Sequence, residues 1–143
     1  MVYGQYERNI DVKNRVALPA KLRDALGSSF FLTIGLDDIV ELRSKSEFDS
    51  LTANLTSQSI YDKNARLLKR WWLGNTHEIE LDSQGRFIIP KQILIKSAIQ
   101  KEVIFVGVGN SVEMWAAEKY QNYNESMSVE QLQEAAQALA EKS

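Results

Sequence analysis

Arg15 and Arg86 each stand four residues after an aspartate, Asp11 and Asp82, and four residues before a proline, Pro19 and Pro90. A guanidinium is planar, permanently charged and forked. Its natural chemistry is therefore recognition: a two-point grip on a phosphate, or on the O6 and N7 acceptors of a guanine in the major groove. The carboxylate on the other side of a tight turn can hold that fork in one orientation. We assign Asp11 and Asp82 this structural part, because a carboxylate turned toward phosphates would repel them. Each proline suits the first position of a helix, where its missing N–H costs nothing.

The elements that must position these groups occur twice. Ile10-Asp11-Val12-Lys13-Asn14-Arg15-Val16-Ala17-Leu18-Pro19 returns as Leu81-Asp82-Ser83-Gln84-Gly85-Arg86-Phe87-Ile88-Ile89-Pro90, at a constant offset of 71. Each copy reads as a strand, a tight turn, a return strand and a helix, that is, a hairpin displaying an arginine. Asn14 and Gly85 supply the left-handed backbone of the turn. Farther on, residues 103–107 match 31–35 at an offset of 72, Val112-Glu113-Met114 matches Val40-Glu41-Leu42 at the same offset, and Tyr120 falls on Phe48. Gly107-Val108-Gly109 reads as the turn between the two later strands.

These matches predict two repeats, at about 3–55 and 74–123, in one compact domain covering 1–143. A helix at about 61–73 joins them, with Ser59-x-x-Asp62 as its cap and Tyr61, Ala65, Leu68 and Trp72 on a face packed against the sheet. A last helix at about 128–142 opens on the capping box Ser128-x-x-Gln131 and carries Val129, Leu132, Ala135, Ala136 and Leu139 on one side. It is expected to dock on its own domain or on a neighbouring subunit. One such repeat is too small to bury much apolar surface alone, so the fold class expected is α+β, with the two copies sharing a core about an approximate two-fold axis.

Composition narrows the chemistry. The absence of cysteine removes disulfides, thiolate nucleophiles and cysteine-ligated zinc, and the single histidine, His77, leaves little for an imidazole metal site. Glu78 with Glu80, and Asp37 with Asp38, come without a nucleophile or a histidine partner, so we expect no enzyme, no metal and no cofactor. Neither a membrane-spanning apolar run nor a signal-peptide pattern occurs, and the protein is expected in the cytoplasm. The 17 basic and 19 acidic residues nearly cancel, yet residues 1–23, 61–72 and 82–101 are each +3, while 113–143 is −4. Positive charge thus gathers around both copies of the motif.

Asp82, Gly85, Arg86 and Pro90 resemble the signature of AbrB-type swapped-hairpin DNA-binding domains. Two such units in one chain, each with its Asp-x-x-x-Arg, resemble the MraZ family of bacterial transcriptional regulators; Asn14 in place of a glycine is the one departure. The resemblance implies a pseudo-two-fold β-barrel of interleaved hairpins with peripheral helices. It also implies a closed homo-oligomeric ring, and sequence-specific binding to direct repeats of double-stranded promoter DNA upstream of the division and cell-wall gene cluster, hence nucleoid association. On that reading Arg15 and Arg86 contact bases, Arg8, Lys13 and Asn14 join the same surface, and Lys21, Arg23 and Lys91 neutralise phosphates. Arg66 and Arg70 are read as solvated helix surface, and Trp71, Trp72 and Trp115 as core or subunit interface. The alternatives are a ring-forming scaffold that binds DNA non-specifically or meets an acidic partner, and an antitoxin-like repressor with a disordered toxin-binding tail, which the patterned last helix argues against.

Overall fold

The computed structural model describes residues 1–142 and contains eight strands and six helices. In chain order they are β1 (Val2–Asn9), β2 (Arg15–Ala17), α1 (Ala20–Leu26), β3 (Ser29–Ile34), β4 (Val40–Ser44), α2 (Lys45–Thr56), α3 (Lys63–Gly74), β5 (Thr76–Glu80), β6 (Arg86–Ile88), α4 (Lys91–Lys96), β7 (Glu102–Gly109), β8 (Val112–Ala116), α5 (Ala117–Ser126) and α6 (Val129–Glu141). The order of elements after each proline repeats as expected.

Strand pairing departs from the hairpin expectation. The two arms of each motif form no ladder with one another. Instead β1 pairs with β7, β5 with β3, and β2 with β6, so each arm is completed by the other repeat. Only the later strands, β3 with β4 and β7 with β8, pair within a repeat. A lone repeat has little apolar surface to cover its own strands, and exchange lets both halves line a common core. The result is an antiparallel six-stranded sheet in the order β1-β7-β8-β4-β3-β5 and a separate ribbon of β2 and β6. The sheet is open, with β1 and β5 at its edges, and no ladder closes it into the barrel that the family resemblance implied.

The pairings are related by a pseudo-two-fold axis. In the ribbon Val16 faces Phe87, its own counterpart at an offset of 71. In the sheet Glu41 faces Glu113, its counterpart at 72. A residue can oppose its own copy only where the axis passes. The ladders also correct one expected match: Arg8 pairs with Val103, and Ile79, the counterpart of Arg8, pairs with Phe30. Val103 therefore corresponds to Phe30 at an offset of 73, one residue away from the sequence match. Both are fully buried.

The core lies between the inner face of the sheet and the ribbon with α1 and α4. Leu32, Val40, Leu42, Phe105, Val112 and Met114 come from the sheet, Val16 and Phe87 from the ribbon, and Leu22 and Ile93 from the helices. Phe87 meets Phe30 edge-on at 5.6 Å between ring centroids. On the outer face, Phe48 of α2 stacks on Phe31, and Tyr120 of α5 packs on Trp115, so the Phe48/Tyr120 match has a shared structural place. Gly107 belongs to β7 and not to the turn expected at 107–109: a side chain there would run into the Tyr3 backbone of β1. The turn itself is at Asn110-Ser111.

The helices beyond the core differ more from expectation. Asp62, not Ser59, caps α3, accepting from the N–H groups of Asn64 and Ala65 at 2.9 and 3.1 Å. Of the expected face, Ala65 is buried and Trp72 half-buried, but Tyr61 is 85% exposed and Leu68 46%. The last helix has its complete capping box, yet none of its described residues is buried. Docking on its own domain is not what the structure shows.

Candidate nucleic-acid interface

Each turn is built around its aspartate. Asp11 Oδ1 accepts from the backbone N–H of Lys13 and of Arg15, both at 2.9 Å, and Oδ2 accepts from Arg15 Nε at 2.7 Å. Asp82 repeats this with Gln84 N–H and Arg86 N–H at 2.9 Å and Arg86 Nε at 3.0 Å. The N–H of Arg15 is the main reason why the Asp11 carboxyl is held below its ordinary value of 3.8; it outweighs a desolvation that acts the other way. The N–H of Arg86 does the same for Asp82.

Because the aspartate engages Nε, the terminal nitrogens of both guanidiniums have no hydrogen-bond partner among the described residues. They are oriented by one edge and open at the other. This arrangement suits a fork that must meet a planar pair of acceptors without first losing rotamer freedom.

The turns are joined across the axis. Asn14 O accepts from Ile89 N–H and Gly85 O from Leu18 N–H, both at 2.9 Å, extending the ribbon by one pair at each end. Within the ribbon Val16 and Phe87 face the core, so strand alternation turns Arg15, Ala17, Arg86 and Ile88 to the outside. Arg15 opposes Ile88 and Arg86 opposes Ala17. The two arginines are thus diagonal neighbours on one face, with roughly 7–8 Å between their positions. They line a common shallow depression with Asp82, Glu78 and Glu80. The sequence offered no sign that β5 would bring Glu78 and Glu80 there, because that depends on which strand β5 pairs with.

The remaining candidates are spread more widely. Lys13 and Asn14 are exposed in the first turn, Asn14 with φ of 61° and Gly85 with 75°. Arg23, on α1, lies against the second repeat's turn, where its guanidinium occupies the space that a side chain at Gly85 would need. Its counterpart at the first turn is Leu94, half-buried against the core. A side chain at residue 85 would have to displace the flexible end of Arg23. Arg8 is half-buried in β1 and donates from Nη1 to Glu7 O at 2.6 Å, so it stands across from β7 and not across its own turn. Lys21 lines a separate hollow with Val2, Tyr6 and Asp24, and Lys91 is exposed at the first position of α4.

Fold and site together define a class: a tandem-repeat α+β protein that presents two turn-held arginines across an internal two-fold. The chain belongs to the MraZ family, whose model, described as "MraZ protein, putative antitoxin-like", matches residues 1–71 and again 72–142. It is 43% identical over 140 residues to the "Transcriptional regulator MraZ" of Mycoplasmopsis pulmonis, covering 98% of this chain and 95% of that one. Proteins of the same name from Thermoanaerobacter sp. and Acetivibrio thermocellus are 40% identical over 129 residues and 38% identical over 136 residues. These cover 90% of both chains and 94% and 95% of the two chains, respectively. The relatives are named for regulation, not for a reaction. No helix among the described residues is long and apolar enough to cross a membrane.

Proposed function

We propose that this protein is a sequence-specific DNA-binding transcriptional regulator, and that the β2–β6 ribbon carries its readers. The observation that supports this is the pair of arginines on one outward face, each fixed at Nε by its own aspartate and open at its terminal nitrogens. A two-stranded ribbon is narrow enough for a major groove, and an arginine fork matches a guanine edge. Lys13, Asn14 and Arg23 sit at the two turns beside the readers, and Arg8, Lys21 and Lys91 add positive charge for phosphates. By family resemblance the target is a set of direct repeats upstream of the division and cell-wall gene cluster, bound by a closed ring of identical subunits. Several ribbons would then engage several repeats at once, and avidity compensates for the modest charge of one subunit. On the same reading the exchanged strands are AbrB-like swapped hairpins, and the protein works in the cytoplasm at the nucleoid.

The test is selection of bound sequences from random DNA at physiological salt, followed by binding of the double variant Arg15→Ala, Arg86→Ala. Each arginine lost should cost on the order of 1–3 kcal/mol of specific binding. Unchanged affinity of the double variant for the selected sequence would refute the assignment. Glu78 and Glu80 beside the arginines favour a second reading, a scaffold with only weak attraction to nucleic acid. Selection that enriches no sequence, with binding lost at moderate salt, would establish that reading instead.

A further inference from the structure

The last helix and the outside of α2 and α3 are both incomplete. Residues 129–141 form a helix of 13 residues with both arms of a capping box, yet no described residue of it is buried. Helices shorter than roughly 12–15 residues are marginal in water unless packing supports them. Val129 and Leu132 stand 64% and 56% exposed, and with Ala136 they follow the 3-and-4 spacing of a stripe made for one contact line. Elsewhere on the surface, α2 and α3 enclose a groove of about 490 Å³. Leu51, Leu55, Ala65, Leu68 and Trp72 line it, and the Leu51 and Leu68 side chains are each 46% exposed. Phe48 and Thr52 are the buried residues of α2, and Thr52 lines the groove beside Leu51 and Leu55.

We infer that this groove receives α6 of a second copy of the chain. A helix laid along the cleft between two helices, with its apolar stripe inward, is a recurrent way to bury such a surface. Charge agrees in sign: residues 113–143 carry −4, and residues 61–72, which hold the charged residues of α3 and its Asp62 cap, carry +3. Opposite fields of that kind favour encounter and orientation between two elements. Glu130, Glu134 and Glu141 fall on the reverse of the stripe, so docking buries none of the helix's own carboxylates; Asp62, which lines the groove, already accepts from the N–H groups of Asn64 and Ala65.

The chain's own α6 is a poor occupant. Only Met127-Ser128 separates it from α5, a reach of about 7 Å. That helix packs on β7 and β8, whereas α2 packs on β4 and β3, across the internal axis. No residue of α5 or α6 lines the groove. Donor and acceptor surfaces are therefore different patches of one molecule. An interface between unlike patches runs head to tail and closes into a ring when the rotation allows. The inference rests on the ring reading above and specifies the joint that makes the ring.

Two full-length variants test it, altered only at exposed positions so that folding is spared. Val129→Asp with Leu132→Asp spoils the helix stripe, and Leu51→Glu with Leu68→Glu spoils the groove. Light scattering on each alone should give the mass of one chain, where the unaltered protein gives a multiple. Mixed, the two should form a dimer and stop there, because the pair retains one good helix and one good groove. Either variant assembling like the unaltered protein would overturn the inference and leave the ring reading standing. A mixture that stays monomeric would also overturn it, pointing to α6 folding back on its own chain. Unaltered protein that is itself monomeric would overturn both. Circular dichroism showing either variant unfolded would be met by the milder Leu132→Ser and Leu68→Ser, for which the same outcomes apply.

Discussion

Asn14 and Gly85 hold the same place in two turns and illustrate how much a single atom decides. Both have positive φ, and at residue 85 the flexible end of a neighbouring side chain, the Arg23 guanidinium, fills the Cβ position. Gly85→Ala should cost about 1–2 kcal/mol of left-handed strain and swing the Arg23 guanidinium aside, and Asn14→Gly should cost only a fraction of that. Thermal melts of the two variants check the asymmetry. The aspartates make a second prediction, with its sign set by linkage. Asp11 and Asp82 have carboxyl groups lowered in the folded state, so folding releases protons, and their stabilisation is present above the unfolded value of 3.8. It is lost as pH falls through the lowered folded values. Between about pH 5 and about pH 3 the melting temperature should fall more steeply for the unaltered protein than for Asp11→Asn, Asp82→Asn. Equal slopes would mean that the turns do not depend on those charges.

Among the elements, β7 shows how a strand carries a requirement set by its neighbour. Gly107 is followed by Val108 and Gly109, which in sequence looks like a turn; in the fold it is the place where β1 crosses closest. Gly107→Val should push β1 off its ladder and destabilise the protein by about 1–3 kcal/mol, read from a denaturant midpoint. Loss of the Val2 to Asn9 amides from slow hydrogen exchange should accompany it. Capping was legible where packing was not in the last helix, whose box Ser128-x-x-Gln131 forms as expected, while α3 is capped by Asp62. Ser44, Asp62 and Ser128 all accept from N–H groups two or three residues on, a local interaction that neighbouring residues decide. Which side of α3 meets the sheet depends on surfaces far away in the chain, and there Leu68, expected against the sheet, lines the groove.

For the whole molecule, exchange of strands between repeats makes the two halves one folding unit, as we propose for residues 1–143. Separately expressed 1–71 and 72–142 should each be unfolded by circular dichroism, and should regain structure on mixing. A half that folds cooperatively alone would contradict this. The duplicated motif, its turn residues, its helix starts and the locally positive segments could all be read from the chain, because each depends on a few adjacent side chains. Repetition itself implied a two-fold relation, since equal sequences favour equal environments. The partner of each strand was not legible. A strand's alternation states that it has an inner and an outer face, and says nothing of which other strand lies beside it. Only long-range pairing separated the arms of the expected hairpins and set Val16 against Phe87. The same pairing brought Arg15 and Arg86 to one face of a ribbon, left the sheet open, and left α6 without a surface of its own to cover.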